Sequence, residues 1–255
     1  MLVRLVRFRH SDRIATGTLD GEFVRPLQGT FFENPLPTGE DVPLSTVRLL
    51  APVLPSKVVC IGRNYLEHAQ EMGTDVPEEP IIFIKPSTSV IGPGDPIPYP
   101  KISQQVDHEG ELAVVIGRLA RRVRAEEAGN YILGFACGND VTARDLQRRD
   151  GQWTRGKGFD GFCPLGPWIE TQLDPTDLAV ECRVNGEIRQ AARTSQLAFG
   201  PNVLIEFITQ VMTLLPGDVI LTGTPAGVGP MKPGDTVEVE VEGIGILENE
   251  VVEGD

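Results

Sequence analysis

Hydrophobic positions along the chain fall in short runs, and turn residues bracket most of them. "KVVCIG", "PIIFIKP", "GELAVVIG", "YILGFACGND" and "GDVILTG" are short apolar runs of a strand's length, which predicts strands. "DTVEVEVEGIGILENEVV" behaves differently. Val237, Val239 and Val241 alternate with Glu238, Glu240 and Glu242, so one face is buried and the other wet. Pro216-Gly217-Asp218 and Pro233-Gly234-Asp235 supply turns between runs. Helical patterns are few. "RNYLEHAQEMG" (63–73) predicts a helix with Asn64 as N-cap and Gly73 as its stop. "NVLIEFITQVMTLLPG" (202–217) places Leu204, Phe207, Ile208, Val211 and Leu215 on one helical face. Many strands, few helices and no regular strand–helix alternation predict a β-rich α+β fold, a sandwich or roll and not a Rossmann-type sheet.

Residues 1–29 read as short strands, with Asp20-Gly21 as a hairpin turn. The passage from Thr30 to Pro55 is rich in proline and predicts a connection with little structure of its own. These features place a boundary near residue 52. A small N-terminal domain and linker would occupy 1–52, and a larger domain 53–255.

One run conflicts with its own pattern. In "VDHEGELAVVIGR" (106–118), Glu109 and Glu111 stand at the mouth of the apolar stretch Leu112–Ile116, separated by Gly110. Residues i and i+2 of a strand share a face, so two carboxylates point the same way where desolvation is costly. Either the strand begins at the surface, with both acids in water or paired to Arg118 or Arg122, or a cation lies between them. "GNDVTARDLQ" (138–147) adds a third acid: Gly138 and Asn139 permit a tight turn that holds Asp140 at a strand end. Three converging carboxylates suit a hard divalent ion such as Mg²⁺ or Mn²⁺, with Ca²⁺ as a substitute.

Charge narrows the partners. With 23 Lys+Arg against 36 Asp+Glu the net charge is −13, and the short "RLARRVR" stretch at 118–124 is the only basic cluster. Nucleic acid and anionic membrane are therefore not expected partners. Cys60, Cys137, Cys163 and Cys182 form no CxxC pair and read as small core residues of a reduced, cytoplasmic protein. Arg4 and Arg7 interrupt the first residues, so no signal-peptide core is read there, and no apolar run has membrane-spanning length. His10 reads as a surface residue. His108 should face away from its two acidic neighbours. Neither a P-loop nor a Gly-x-Ser-x-Gly elbow is present.

The motifs "CIGRNYLEHAQEMG", "PIIFIKPSTSVIGPGDPI", "DHEGELAVVIG", "GFACGNDVTARDLQ", "KGFDGFCPLGPW" and "LTGTPAGVG" occur in this order over residues 56–250. Together they resemble the fumarylacetoacetate hydrolase family. The resemblance implies a mixed β-sandwich roll, with Glu109, Glu111 and Asp140 as ligands of a divalent metal. His68 and Glu71, at i and i+3 of a helix, could by themselves be an exposed polar face. The resemblance makes that segment a lid helix whose His and Glu form the catalytic pair, with the 73–80 loop as the lid's shoulder. It also implies that Lys157 acts with them, and that Lys85, Arg144, Gln147 and Thr224 bind a small carboxylate substrate.

A 2-oxo acid can chelate a metal through its carboxylate and adjacent carbonyl, and the metal then stabilises the enolate. Isomerisation, C–C hydrolysis and decarboxylation all pass through that form. Family members with a small leading domain resemble 2-hydroxyhepta-2,4-diene-1,7-dioate isomerases of aromatic-compound catabolism, which is the expected activity. Acylpyruvate or fumarylpyruvate hydrolysis and oxaloacetate decarboxylation are the alternatives, and a non-catalytic metal-binding β-domain is the alternative of another class. The family also implies a homodimer.

Overall fold

The computed structural model describes residues 3–33, 35–71, 73 and 75–254. Strands dominate. The largest sheet runs in the order Leu36–Pro37, Phe23–Gln28, Arg13–Asp20, Arg4–His10, Cys163–Glu170, Ile132–Asn139, Gly110–Ile116, Val219–Leu221, Lys57–Gly62, Ile81–Pro86. A second sheet orders Ile97–Tyr99, Gly245–Glu253, Thr236–Val241, Ala179–Val184 and Glu187–Arg193. A third, small one places Val106–His108 between Thr142–Ala143 and Gly229–Met231.

The run Gly110–Ile116 is buried throughout because both its faces meet a core. Leu112, Val114 and Ile116 pack with Val180, Cys182, Val239 and Val241 of the second sheet. Ala113 and Val115 pack on the other side with Val58, Cys60, Val219 and Leu221. This two-sided burial is why the run is continuously apolar, whereas Thr236–Val241 alternates. The four cysteines are free and buried, as read from their spacing.

The N-terminal strands hold a cluster of their own, Val6, Phe8, Leu19 and Val24. They are also hydrogen-bonded into the main sheet, with Arg4 opposite Glu170 and Leu5 opposite Ile169. The passage expected to lack structure carries short edge strands: Val42 pairs with Val24, and Leu49 with Phe8. Proline is compatible with an edge, where one side of the strand needs no N–H donor.

Both helices are shorter than their patterns suggest. The first spans Leu66–Glu71, not 63–73. Arg63 adopts a left-handed backbone (φ 58°), and Tyr65 forms an isolated bridge with Leu197, so helical geometry starts late. Asn64 is not its N-cap. Its amide donates to Phe199 O and Thr222 O and accepts from Phe199 N, which ties three segments together. Met72 and Thr74, at the end of the expected helix and in the expected lid loop, lie outside the described residues. The second helix spans Pro201–Val211 and buries Leu204, Ile205 and Ile208. Val211 and Leu215 are exposed, because the chain turns extended at Met212 and pairs Leu214 with Ala120. Among the described residues no helix is long and apolar enough to cross a membrane.

Candidate metal and active site

Glu109 and Glu111 are both buried, so the surface reading of these acids does not hold. Gly110 between them faces the second sheet, where a Cβ would approach Cys182 Cβ to 2.9 Å. A larger residue would push the two sheets apart, which explains glycine at this point. The register puts Gly110 opposite Asn139 and Glu111 opposite Gly138, which carries Asp140 to the same sheet end. Two bonds fix the turn: Asp140 N donates to Glu109 O (2.9 Å) and Glu109 N to Asn139 Oδ1 (2.9 Å). Carboxylate oxygens of Glu109, Glu111 and Asp140 lie within 4.8 Å of one another.

Three cations converge on these acids. Lys85 Nζ donates to Asp140 Oδ1 (2.5 Å) and Val141 O (3.0 Å). Lys157 Nζ donates to Glu109 Oε2 and Asp140 Oδ2, each at 2.7 Å. Arg144 donates to Asp107 Oδ2 (2.8 Å), Glu109 Oε1 (2.5 Å) and Gln147 Oε1 (2.7 Å). The cluster thus holds four carboxylates, counting Asp107, and three cations. Glu111 is the one left without a cation partner among the described residues. Among the described residues its carboxylate accepts one hydrogen bond, from Gly223 N (2.6 Å).

The electrostatics follow this imbalance. Burial alone would raise Glu109, but Lys157 and Arg144 outweigh it and hold its carboxyl well below the usual range. Burial also raises Glu111, and here the neighbouring Asp140 and Glu109 add to it, so its carboxyl is pushed well up. An all-oxygen donor set with one uncompensated buried acid fits a hard divalent cation. Glu109, Glu111 and Asp140 would hold it.

His68 lines a cavity that Glu109 of the cluster also lines, and Glu71 holds its ring. His68 Nδ1 lies 3.1 Å from Glu71 Oε2, an arrangement in which Nδ1–H donates and Nε2 is left as the acceptor. Glu71 in turn accepts from Gly227 N, at 3.1 Å to Oε1. The cavity, of about 330 Å³, is lined by His68, Glu109, Arg144, Gln147, Lys157 and Thr224 together with Arg63, Phe83, Arg148 and Trp153. Lys157 Nζ lies 5.1 Å from the Phe83 ring centroid, and Trp153 packs edge-on against that ring. A larger cavity of about 590 Å³, lined by Ile132, Leu133, Phe135, Thr171 and residues 173–176, contains none of this cluster.

The structure therefore brings together every residue predicted from sequence, with one change of detail. The Thr224 hydroxyl directs its proton to Gly110 O (3.0 Å) and accepts from Gln190 Nε2 (2.7 Å), so it is committed to the scaffold and is not a free donor. The sequence reading missed Gln190. Its amide oxygen accepts from Gly110 N (2.9 Å) and lies 3.2 Å from His108 Nδ1, and its nitrogen also donates to Pro225 O (2.8 Å). This single buried side chain ties the backbone between the two glutamates to the 222–227 turn. That turn supplies N–H donors to both Glu111 and Glu71. Asp107, which holds Arg144, was also missed. The pattern "EIRQAAR" around Gln190 reads as an ordinary strand, and only the tertiary contact marks it.

Residues 57–252 match the family model for the fumarylacetoacetate hydrolase C-terminal domain. The chain belongs to the fumarylacetoacetate hydrolase family. Residues 3–52 match a second family model, Rv2993c-like, N-terminal. Among solved structures of this family, 2-hydroxyhepta-2,4-diene-1,7-dioate isomerase from Mycobacterium marinum is 49% identical, with a TM-score of 0.92 and 98% of each chain covered. The 5-carboxymethyl-2-hydroxymuconate delta-isomerase from Mycobacterium smegmatis is 52% identical, with a TM-score of 0.93 over 98% of this chain and 99% of that one. The mitochondrial oxaloacetate tautomerase Fahd2a of Rattus norvegicus is 48% identical over 83% of this chain and 71% of its own length.

Proposed function

We propose that this chain is a divalent-metal-dependent enzyme that moves a proton on a 2-oxo or 2-hydroxy-enoate carboxylic acid, an isomerase or tautomerase of the 2-hydroxyhepta-2,4-diene-1,7-dioate type. The observation that carries this reading is that His68, held by Glu71, lines one cavity together with Glu109 of the acidic triad. Mg²⁺ or Mn²⁺ bound by the triad would supply a Lewis acid for the negative charge on the substrate's carbonyl oxygen. Lys157, Arg144 and Gln147 hold the substrate's carboxyl end. His68 Nε2 takes a proton from the carbon beside the carbonyl and returns it elsewhere, while Glu71 keeps the ring in one tautomer. The relatives named as isomerases and tautomerases support proton transfer over cleavage.

Acylpyruvate hydrolysis is the second reading, because the same histidine could activate water. The family also supports a homodimer; a single monomeric species in sedimentation at micromolar concentration would contradict that. The deciding experiment presents oxaloacetate, a hepta-2,4-diene-1,7-dioate and an acylpyruvate to the protein with Mg²⁺ and with EDTA. Mg²⁺-dependent solvent proton exchange or isomerisation faster than any cleavage is expected. Cleavage of the acylpyruvate as the fastest reaction would favour the hydrolase, and inertness toward all three would overturn an enzymatic role on this substrate class.

A further inference from the structure

The cations that line the cavity fall into two sets. Arg144 and Lys157 already have anionic partners in Asp107, Glu109 and Asp140. Arg63 and Arg148 line the same cavity, and among the described residues neither has an ion pair or a side-chain hydrogen bond. Some exposed arginines outside the cavity are paired: Arg155 with Asp150, Arg193 with Asp177, Arg25 with Asp41. Among the described residues Glu109 is the only acid lining the cavity, and it is already compensated. Two arginines without an anionic partner among the described residues therefore line space that a ligand can fill.

We propose that Arg63 and Arg148 form a distal subsite for the second carboxylate of a dicarboxylic 2-oxo acid. The proposal rests on the reading of the site as one for 2-oxo acids, and adds to it the residues that select a dianion. Arg144, Gln147 and Arg148 share one face of the helix Arg144–Asp150, at i, i+3 and i+4. Arg148 thus stands about 6 Å further along the helix axis than Arg144. A substrate gripped at one end by Arg144 and Gln147 would carry its far end toward Arg148. The wall at Arg63 is held by its backbone. Arg63 holds a left-handed backbone that L-residues disfavour, and its neighbours enforce it. Asn64 is clamped to Phe199 and Thr222, and Gly62 sits so close to Trp153 that a Cβ would meet the ring at 2.6 Å. This arrangement fixes where Arg63 leaves the backbone. Guanidinium groups suit the role because their planar donors match a carboxylate bidentately.

The test compares two probes that differ only in the distal charge, oxaloacetate and its 4-monomethyl ester. Mg²⁺-dependent proton exchange is measured for wild type, Arg63→Gln, Arg148→Gln and the double variant. The kcat/KM ratio of dianion to ester should fall about 10-fold or more in the double variant, with the change carried mainly by KM. Raising ionic strength should lower the wild-type ratio and leave the double variant's ratio nearly flat. A double variant that keeps the wild-type ratio within twofold while both acids are turned over would overturn the subsite and leave the proposed function standing. A wild type that acts on neither probe, nor on the hepta-2,4-diene-1,7-dioate or the acylpyruvate, would overturn the proposed function, and the subsite with it.

Discussion

Asp218 and Glu111 are buried carboxylates at opposite ends of one pair of neighbouring strands, and they are solvated in opposite ways. Asp218 accepts from Ser56 N (3.0 Å), Ser56 Oγ (2.6 Å), Leu215 N (2.8 Å) and Lys57 Nζ (2.5 Å). Burial pushes its pKa up, but these donors overcome that and bring it below the ordinary value. Glu111 accepts one bond and faces two other acids, and its pKa goes up. The first network is closed and ties Ser56 and Lys57 to the 215–218 turn. The second is short of one cation and borders a cavity. A buried polar network left incomplete in a well-packed fold points to a missing ligand, because a purely structural network has no reason to retain the repulsion.

The largest effect should come from enlarging the difference. Glu111→Gln removes a charged ligand at constant shape, and we expect catalysis to fall by about 10³-fold or more as the Lewis acid is lost. Full activity in this variant at saturating Mg²⁺ would refute the ligand assignment. His68→Ala leaves the triad intact. It should slow proton transfer by roughly 10²–10⁴-fold with Mg²⁺ affinity, read by calorimetry, close to wild type. Gln190→Leu keeps the bulk but releases the 222–227 turn, and a 10–100-fold loss in metal affinity or kcat is the expected scale for a group that orients ligands. Wild-type values for both would show that the turn holds its place without the amide.

The smallest effect belongs to the closed network. Asp218→Asn faces an amide toward several donors and should cost about 2 kcal/mol of stability in urea denaturation, with turnover at saturating Mg²⁺ unaffected. Its pH dependence has a definite sign. A carboxyl whose folded pKa is depressed stabilises the fold above its unfolded value, and that stability fades as pH falls toward the folded value. The gap between wild type and Asp218→Asn should therefore be full near neutral pH and shrink below about pH 4. A gap that widens on acidification would contradict the network as described.

The same contrast marks what the sequence could reveal. Glu109, Glu111 and Asp140 were legible because strand alternation and a Gly-Asn turn are local rules, and three acids beside apolar runs violate local expectation. His68 and Glu71 were legible as a pair from helical spacing, but their role came from family resemblance. Gln190 and Asp107 were not legible, since their importance lies in contacts with segments far along the chain. The helix errors have a similar origin. Asn64 looked like a cap by type, yet its side chain is taken by Phe199 and Thr222. Leu215 fitted a helical stripe, yet the helix ends at Val211 because Leu214 pairs with Ala120. Arg63 and Arg148 carry no local signal, because an arginine without a partner looks the same in sequence as one with a partner.

The central claim is that the uncompensated charge of Glu111 belongs to a divalent cation. The most direct measurement is the thermal midpoint of wild type and Glu111→Gln as Mg²⁺ is titrated from an EDTA-treated start. A ligand that binds only the folded state stabilises it by about 2.7 kcal/mol at a hundred times Kd, so the wild-type midpoint should climb steadily with Mg²⁺. The variant should begin at or above the metal-free wild type, since a buried like charge is gone, and should then stay nearly flat. Parallel climbs in the two proteins, or no climb in either with Mg²⁺ or Mn²⁺, would contradict the account.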